Sequence, residues 1–183
     1  MKLLLHACCA PCSLQCIEAL AGEELRPDLF WYNPNIHPFT EYRSRRDSLC
    51  AFAEAGGLSL VMEDEYGLRA FVKEVEGKNL FAGKNGCNPR CAFCYRLRLE
   101  KTAALAAEKG YDAFSSTLLI SPYQNHALLR EIGEDLAARY GVSFLYRDFR
   151  PRFRLGQNQA REAGYYMQKY CACIYSEEER YSK

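Results

Sequence analysis

One stretch near the start of the chain decides the fold: Lys2-Leu3-Leu4-Leu5-His6-Ala7-Cys8-Cys9-Ala10-Pro11-Cys12. Its first half is a short apolar run, which is typical of a buried β-strand. Three cysteines follow this run directly. In open α/β sheets, ligands bind outside the carboxyl ends of the strands. The stretch therefore predicts that the chemistry of the protein begins where this strand ends, and the alternative is that the thiols only pack in the core.

The composition indicates a folded protein with reactive thiols. The chain has 183 residues, of which 49% are hydrophobic, and this predicts a single domain over residues 1–183 with a sizeable core. No apolar run approaches the roughly 18 residues of a membrane span, and the first run lacks the pattern of a signal peptide. We therefore expect a cytoplasmic protein with no membrane partner. Ten cysteines in a reducing compartment favour metal or redox chemistry over structural disulfides.

Strands and helices alternate along the chain in a βαβ manner. The predicted strands are 3–6, 28–32, 58–62, 113–117 and 142–146. The predicted helices are 13–22, 40–55, 68–75, 91–109, 124–140 and 158–163, and a loop is predicted over 77–89. This alternation predicts an α/β fold with a doubly wound, mainly parallel sheet of about five strands. No Walker-type or GxGxxG motif supports nucleotide binding.

Two cysteine motifs suggest a shared site. Cys91 and Cys94 form a CxxC motif at the start of the predicted long helix, where the helix N-terminus favours thiolates. Together with Cys8 and Cys9 they offer four thiolates from two segments, which suits zinc or an iron–sulfur cluster. Two adjacent cysteines fit one tetrahedral ion poorly, so this set favours a cluster.

Other cysteines fall outside this set. Cys12 and Cys87 are candidate ligands of a second metal, and buried thiols without a ligand role are the alternative. Cys171 and Cys173 form a CxC motif near the end of the chain. A disulfide with this one-residue spacing closes a strained ring and is easily reduced, which suits redox turnover better than a structural role.

A basic run lies close to residue 150, although the net charge of +1 does not indicate nucleic-acid binding by the chain as a whole. The run alternates with phenylalanine and proline, a pattern expected of phosphate contacts combined with base stacking. Its cations are Arg147, Arg150, Arg152 and Arg154. The alternative is a solvated surface without a partner.

Five motifs, taken in order, resemble the QueH-type epoxyqueuosine reductases, and the resemblance runs nearly from end to end. The first two are Leu5-His6-Ala7-Cys8-Cys9-Ala10-Pro11-Cys12 and Tyr32-Asn33-Pro34-Asn35-Ile36 with Glu41-Tyr42-Arg43. The other three are Arg90-Cys91-Ala92-Phe93-Cys94-Tyr95-Arg96-Leu97-Arg98-Leu99, Ser115-Ser116-Thr117-Leu118-Leu119-Ile120-Ser121-Pro122-Tyr123-Gln124 and Tyr170-Cys171-Ala172-Cys173.

The resemblance implies a Rossmann-like (HUP-like) fold in which cysteine-bearing loops and the C-terminal segment from about residue 150 cover the site at one edge of the sheet. It implies an oxidoreductase for the last step of queuosine biosynthesis, which reduces epoxyqueuosine at the wobble position of tRNA to queuosine without cobalamin. An external electron donor is implied as well. Members of this family often carry glycine between the two C-terminal cysteines, where this chain has Ala172.

The resemblance also assigns roles to the cysteines. The implied ligands of a 4Fe-4S cluster are Cys8, Cys9, Cys91 and Cys94. Cys171 and Cys173 are the implied redox-active pair. The resemblance assigns no role to Cys12 and Cys87, which stay candidate ligands of a second metal such as a mononuclear iron. Three side chains are candidate proton donors, and the sequence does not choose among them: Asp148, Tyr123 and His6.

Two other functions remain open at this point. The first is a zinc-stabilised RNA-binding module in which the cysteines only hold the fold. The second is a thiol–disulfide oxidoreductase that acts on proteins through the CxxC motif. This last reading leaves the adjacent pair Cys8-Cys9 without a role.

Overall fold

The computed structural model describes residues 1–76 and 88–182. Within them a five-stranded sheet has the order β3-β2-β1-β4-β5, and every neighbouring pair is parallel. The strands are β1 (Leu3–His6), β2 (Asp28–Trp31), β3 (Leu60–Met62), β4 (Ala113–Ser116) and β5 (Ser143–Phe144). The predicted α/β class with a doubly wound, Rossmann-like sheet is confirmed.

Seven α-helices lie in the described part of the chain. They are α1 (Ala10–Ala21), α2 (Phe39–Ala55), α3 (Leu68–Val75), α4 (Pro89–Glu108), α5 (His126–Tyr140), α6 (Phe153–Glu162) and α7 (Ile174–Tyr181). Helix α1 packs against α2 and α6, whereas α4 packs against α3 and α5. No helix among the described residues is both long enough and apolar enough to cross a membrane.

Most predicted elements are confirmed, and the differences have local causes. Helix α1 begins at Ala10, three positions before the predicted start, because Pro11 fits the first turn of a helix, where its missing N–H is not needed. The predicted strand over 142–146 shortens to two residues. Helix α7 was not predicted, and α6 begins at Phe153 rather than 158. The predicted loop 77–89 lies almost wholly outside the described residues.

Strand β1 is the centre of the fold. Leu3, Leu4 and Leu5 are almost completely buried, since β1 has β2 on one side and β4 on the other. In chain order, β2 and β3 lie on one side of β1, and β4 and β5 follow on the other side. The crevice between β1 and β4 is therefore the topological switch point, where ligands of open α/β sheets bind. Residues that follow β1 and β4 face this crevice.

Candidate active site

The thiols that follow β1 form a compact group at the switch point. The Sγ atoms of Cys8, Cys9 and Cys12 all lie within 4.8 Å of one another, and the first two are 3.8 Å apart. All three side chains are buried. Across the crevice, Thr117 follows β4, and its Oγ1 accepts a hydrogen bond of 3.2 Å from the Cys8 backbone N–H. We call Cys8, Cys9 and Cys12 the cysteine triad.

The local backbone explains why the triad is compact. Cys9 occupies the N-cap position of α1 and makes no side-chain capping hydrogen bond, so the first-turn N–H groups are left for another acceptor. Cys12 lies in the first turn of α1, three positions after Cys9, and such residues share a face of a helix. The positive end of the helix dipole favours negative charge on these sulfur atoms.

One thiol of the triad is poised to be a thiolate. Hydrogen bonds from Cys12 and Cys9 hold the pKa of Cys8 well below its ordinary value, and Thr117 adds to this effect. Hydrogen bonding to Cys8 and Cys9, together with burial, raises the pKa of Cys12 well above its ordinary value. The triad therefore stabilises one negative charge on sulfur that its neighbours share. Soft cations with thiolate preference, such as zinc or iron, suit such a donor set.

A second set of thiols lies at the start of α4. Asn88 caps this helix by accepting a hydrogen bond of 3.0 Å from the Arg90 N–H, and Cys91 and Cys94 lie in the first two turns. Burial raises the pKa of Cys94 to about 12, and Arg98 opposes this shift. The Nη2 atom of Arg98 donates to Cys94 Sγ at 3.1 Å.

The two sets remain separate groups of sulfur atoms. Among residues 1–76 and 88–182, the ligand group within 4.8 Å consists of the triad, so Cys12 joins the N-terminal pair while Cys91 and Cys94 lie outside it. The role of Cys12 was undecided from the sequence. Its position three residues after Cys9, at the start of α1, is the sequence signal that it lies beside Cys8 and Cys9. Cys87, the other candidate for a second metal, lies outside the described residues.

The two thiols of the CxC motif lie in different surroundings. Cys171 is exposed, whereas Cys173 is buried. The Cys173 side chain packs in a small apolar cluster with Phe71 and Val75. Gln124 Nε2 lies 3.5 Å from Cys171 Sγ. One thiol of the pair therefore faces solvent and the other faces the interior.

Hydrogen bonds to the backbone fix this C-terminal segment. The guanidinium of Arg45, which is 2% exposed, donates to the carbonyl of Cys171 at 2.7 Å and to that of Tyr170 at 3.0 Å. Its Nε donates to Glu41 Oε1 at 2.7 Å in a buried ion pair. The backbone N–H of His37 also donates a hydrogen bond of 3.0 Å to the Ala172 carbonyl of this segment.

A cavity of about 480 Å³ connects these features. Cys8 and Cys12 of the triad line it, and so does Cys171 from the C-terminal segment. The buried guanidinium of Arg98 lines it as well. Sequence reasoning assigned no role to Arg98 or Arg45, although the spacings Cys94/Arg98 and Glu41/Arg45 each place two polar groups on one helix face.

Of the three candidate proton donors, Tyr123 lines the cavity and is 82% exposed. His6 is buried between the Ser116 hydroxyl and the Tyr32 carbonyl, and burial lowers its pKa to about 4. The hydrogen bond from Arg150 lowers the pKa of Asp148 to about 2. At neutral pH, His6 is therefore a neutral imidazole, which is a weak acid, and Asp148 is ionised and carries no proton to donate.

The basic run near residue 150 is largely neutralised by carboxylates. Arg147 pairs with Glu23 at 2.9 Å, Arg150 with Asp148 at 2.5 Å, and Arg152 lies 3.6 Å from a carboxylate oxygen of α1. The remaining member, Arg154, is exposed and forms no ion pair with the described residues. The run therefore offers less free positive charge than its sequence suggests.

In comparisons with known proteins, the chain matches one family model and several relatives that carry the same description. The model of the family described as "Epoxyqueuosine reductase QueH" matches residues 3–179. An epoxyqueuosine reductase QueH of Dehalococcoides mccartyi is 39% identical over 182 residues, which cover 100% of this chain and 96% of that protein. One of Thermotoga maritima is 35% identical, with coverage of 98% and 92%.

A solved structure shares the fold. The predicted subunit of a tRNA methyltransferase from Methanocaldococcus jannaschii superposes with a TM-score of 0.52 and 12% sequence identity, covering 87% of this chain and 75% of that one. At this identity the likeness concerns the arrangement of strands and helices alone.

Proposed function

This chain belongs to the QueH family of epoxyqueuosine reductases, and we propose that it reduces the epoxide of epoxyqueuosine in tRNA to the cyclopentene of queuosine. The reaction takes two electrons and two protons, and the oxygen leaves as water. The observation that carries this proposal is the cavity, because thiols of both the triad and the CxC motif line it. An oxidoreductase needs an electron source and a substrate site side by side, and this cavity supplies both.

The donor set fits an iron–sulfur cofactor. The triad is buried and stabilises thiolate charge. Among the described residues, the buried Arg98 guanidinium donates to the carbonyl and the Sγ of Cys94, so an anionic metal–thiolate group nearby would compensate its charge. We assign Cys8, Cys9, Cys91 and Cys94 as the ligands of a 4Fe-4S cluster. Cys12 and Cys87 are the proposed ligands of a second, mononuclear iron.

When bound, such a group supplies one-electron transfer and a Lewis-acidic iron. The residues of the chain supply the rest of the site. Cys171, at the wall of the cavity, and Cys173, behind it, are the proposed two-electron source, so that an epoxide and two thiols give an alkene, a disulfide and water. An external electron donor reduces the disulfide again. Tyr123 is positioned at the cavity to deliver a proton.

We place the protein in the cytoplasm as one domain, with tRNA as its macromolecular partner. The segment from about residue 150 carries the proposed tRNA contacts, Arg147, Arg150, Arg152 and Arg154. Since three of these are paired with carboxylates, tRNA phosphates would have to displace those partners. Lys169 and Arg180, which line the cavity, add positive charge where the modified nucleoside would enter. Affinity for tRNA should fall steeply with salt.

The test is anaerobic reconstitution with iron and sulfide, followed by incubation with tRNA that carries epoxyqueuosine and mass spectrometry of the released nucleosides. We expect loss of one oxygen atom from the modified nucleoside and a brown protein that bleaches on reduction. Cys50→Ser, outside the cavity, serves as a control that keeps full activity. A colourless protein that binds zinc and leaves the nucleoside unchanged would support the RNA-binding alternative instead.

A further inference from the structure

Arg98 is a buried cation that pairs with no carboxylate in the described part of the chain. Its side chain is 2% exposed, and its Nε and Nη2 atoms donate to the carbonyl and the Sγ of Cys94, each at 3.1 Å. No Asp or Glu of the described residues forms an ion pair with it. Taking a guanidinium out of water is unfavourable unless an opposite charge compensates it. We therefore expect an anion that is not an Asp or Glu side chain of the described residues to bind next to Arg98.

The groups that surround Arg98 are sulfur atoms of the proposed site. The Sγ atom of Cys94 accepts a hydrogen bond from Arg98, and Cys8 and Cys171 line the same cavity as Arg98. Arg98 stays protonated at any pH at which the fold exists. It thus lies between the triad, the α4 thiols and the CxC motif as a permanent positive charge.

Comparison with Arg45 shows what is unusual about Arg98. Both guanidinium groups are buried and both line the cavity. Arg45 is neutralised by Glu41 and uses its two terminal nitrogens on backbone carbonyls. In Arg98, by contrast, two nitrogens are held by Cys94, and Nη1 has no hydrogen-bond partner in the part of the chain that the structure describes. Arg98 therefore has donor capacity left at the cavity wall.

We propose that Arg98 is a catalytic residue that binds the epoxide oxygen and stabilises the negative charge that develops on it. The proposal rests on the proposed function. The Cys171 sulfur attacks an epoxide carbon and forms a C–S bond as the first C–O bond breaks. The electron pair of that C–O bond stays on oxygen, where the Nη1 N–H groups bind the resulting oxyanion before it takes up a proton. Cys173 then attacks the Cys171 sulfur and forms the disulfide, and the electron pair of the breaking C–S bond forms the alkene and expels the hydroxyl group, which leaves with a second proton as water. The two hydrogen bonds from Arg98 to Cys94 hold the guanidinium in place. They involve no carboxylate that would compete with the substrate oxygen for the cation.

The experiment compares Arg98→Gln and Arg98→Lys with a control on the same helix, Arg96→Gln. Arg96 is exposed and pairs with Asp135. The steady-state kcat and KM for tRNA-bound epoxyqueuosine with a chemical reductant, the dissociation constant for product tRNA, and the iron and sulfide content are measured for each protein. We expect kcat of Arg98→Gln to fall by about 10²- to 10³-fold, as for loss of an oxyanion donor. Both KM and the product-tRNA dissociation constant should change by less than about threefold, since the interaction belongs to the transition state.

Arg98→Lys should recover part of the lost rate, because it keeps the charge without the planar fork. Millimolar guanidinium should restore part of the activity of Arg98→Ala, a readout that a merely structural role would not produce. The proposal is overturned if Arg98→Gln keeps wild-type kcat, or if both Arg98→Gln and Arg98→Lys lose their iron. If wild-type and Arg96→Gln proteins themselves leave the epoxide intact, the proposed function fails rather than the role of Arg98.

Discussion

The two thiol regions that meet at the cavity are built in opposite ways. The triad follows a central strand, all of its sulfur atoms are buried, and a backbone hydrogen bond to Thr117 joins it to the neighbouring strand's end. The CxC motif lies between helices, with one exposed and one buried thiol, and side chains from elsewhere bind its backbone. A rigid donor set suits a bound metal, whereas a tethered segment suits thiols that must approach each other and separate again.

The largest effect is expected from breaking the triad. Cys8→Ala removes the most acidic of the three thiols, so we expect iron and sulfide content to fall sharply and turnover to be lost. Iron and sulfide analysis after anaerobic reconstitution checks this. Cys16→Ala is the matched control, because Cys16 is also buried and lies on helix α1, which follows Cys8, but it is not part of the group of three. Full cluster content in Cys8→Ala would refute its assignment as a ligand.

Breaking the CxC motif should separate catalysis from metal content. In Cys171→Ser we expect turnover to fall by at least about 10²-fold, since the hydroxyl is a far weaker nucleophile than a thiol, with unchanged iron and sulfide. Nucleoside mass spectrometry and metal analysis on one preparation measure both quantities. Retained turnover with a chemical reductant would mean that the pair only delivers electrons and that the triad region carries the chemistry.

The tether of the CxC segment can be cut without touching a thiol. Arg45→Met leaves Glu41 buried without its cation, and removal of one partner of a buried pair costs about 3 to 5 kcal/mol. Urea denaturation should show this loss in the free energy of unfolding, and limited proteolysis should cleave near residues 170–173. Arg130→Met is the control, because it removes an exposed pair of the same i,i+4 type, and an exposed ion pair contributes little to the free energy of unfolding. Equal losses in the two variants would argue against the tether.

A smaller effect should follow from pH through His37. Its Nδ1 accepts a hydrogen bond from the Ile174 N–H, just after the CxC motif, and burial lowers its pKa from 6.5 to about 4. The unfolded chain therefore takes up this proton first as the pH falls, so stability is complete above pH 6.5 and declines towards pH 4. At pH 5 the loss amounts to about 2 kcal/mol.

Urea denaturation at pH 7 and pH 5 measures this difference. His37→Asn has no titrating ring, so its free energy of unfolding should depend less on pH over the same interval. An identical pH dependence in the two proteins would assign the effect to other groups.

Particular residues show how far the sequence alone leads. The apolar run before Cys8 and the βαβ alternation predicted the sheet, because strands buried on both faces are continuously apolar. Helix α7 was missed because its charged sequence, with Glu177, has no apolar stripe to mark it. The roles of Arg45 and Arg98 were missed because arginine is read as a surface residue. The contact of Arg45 with Cys171 spans 126 positions and exists only in the fold, and the four-residue spacing of Cys94 and Arg98 does not by itself show that the pair is buried.

The sequence separations across the triad carry a consequence for the order in which the protein is made. Cys8, which is synthesised early, has Thr117 as a neighbour 109 positions later, and Gln168 lies against Cys12 across 156 positions. A chain growing on the ribosome thus exposes its first thiols long before the residues that enclose them exist. These thiols are therefore accessible to a metal or an oxidant during that interval, and the CxC segment, which lines the cavity, is one of the last parts to emerge.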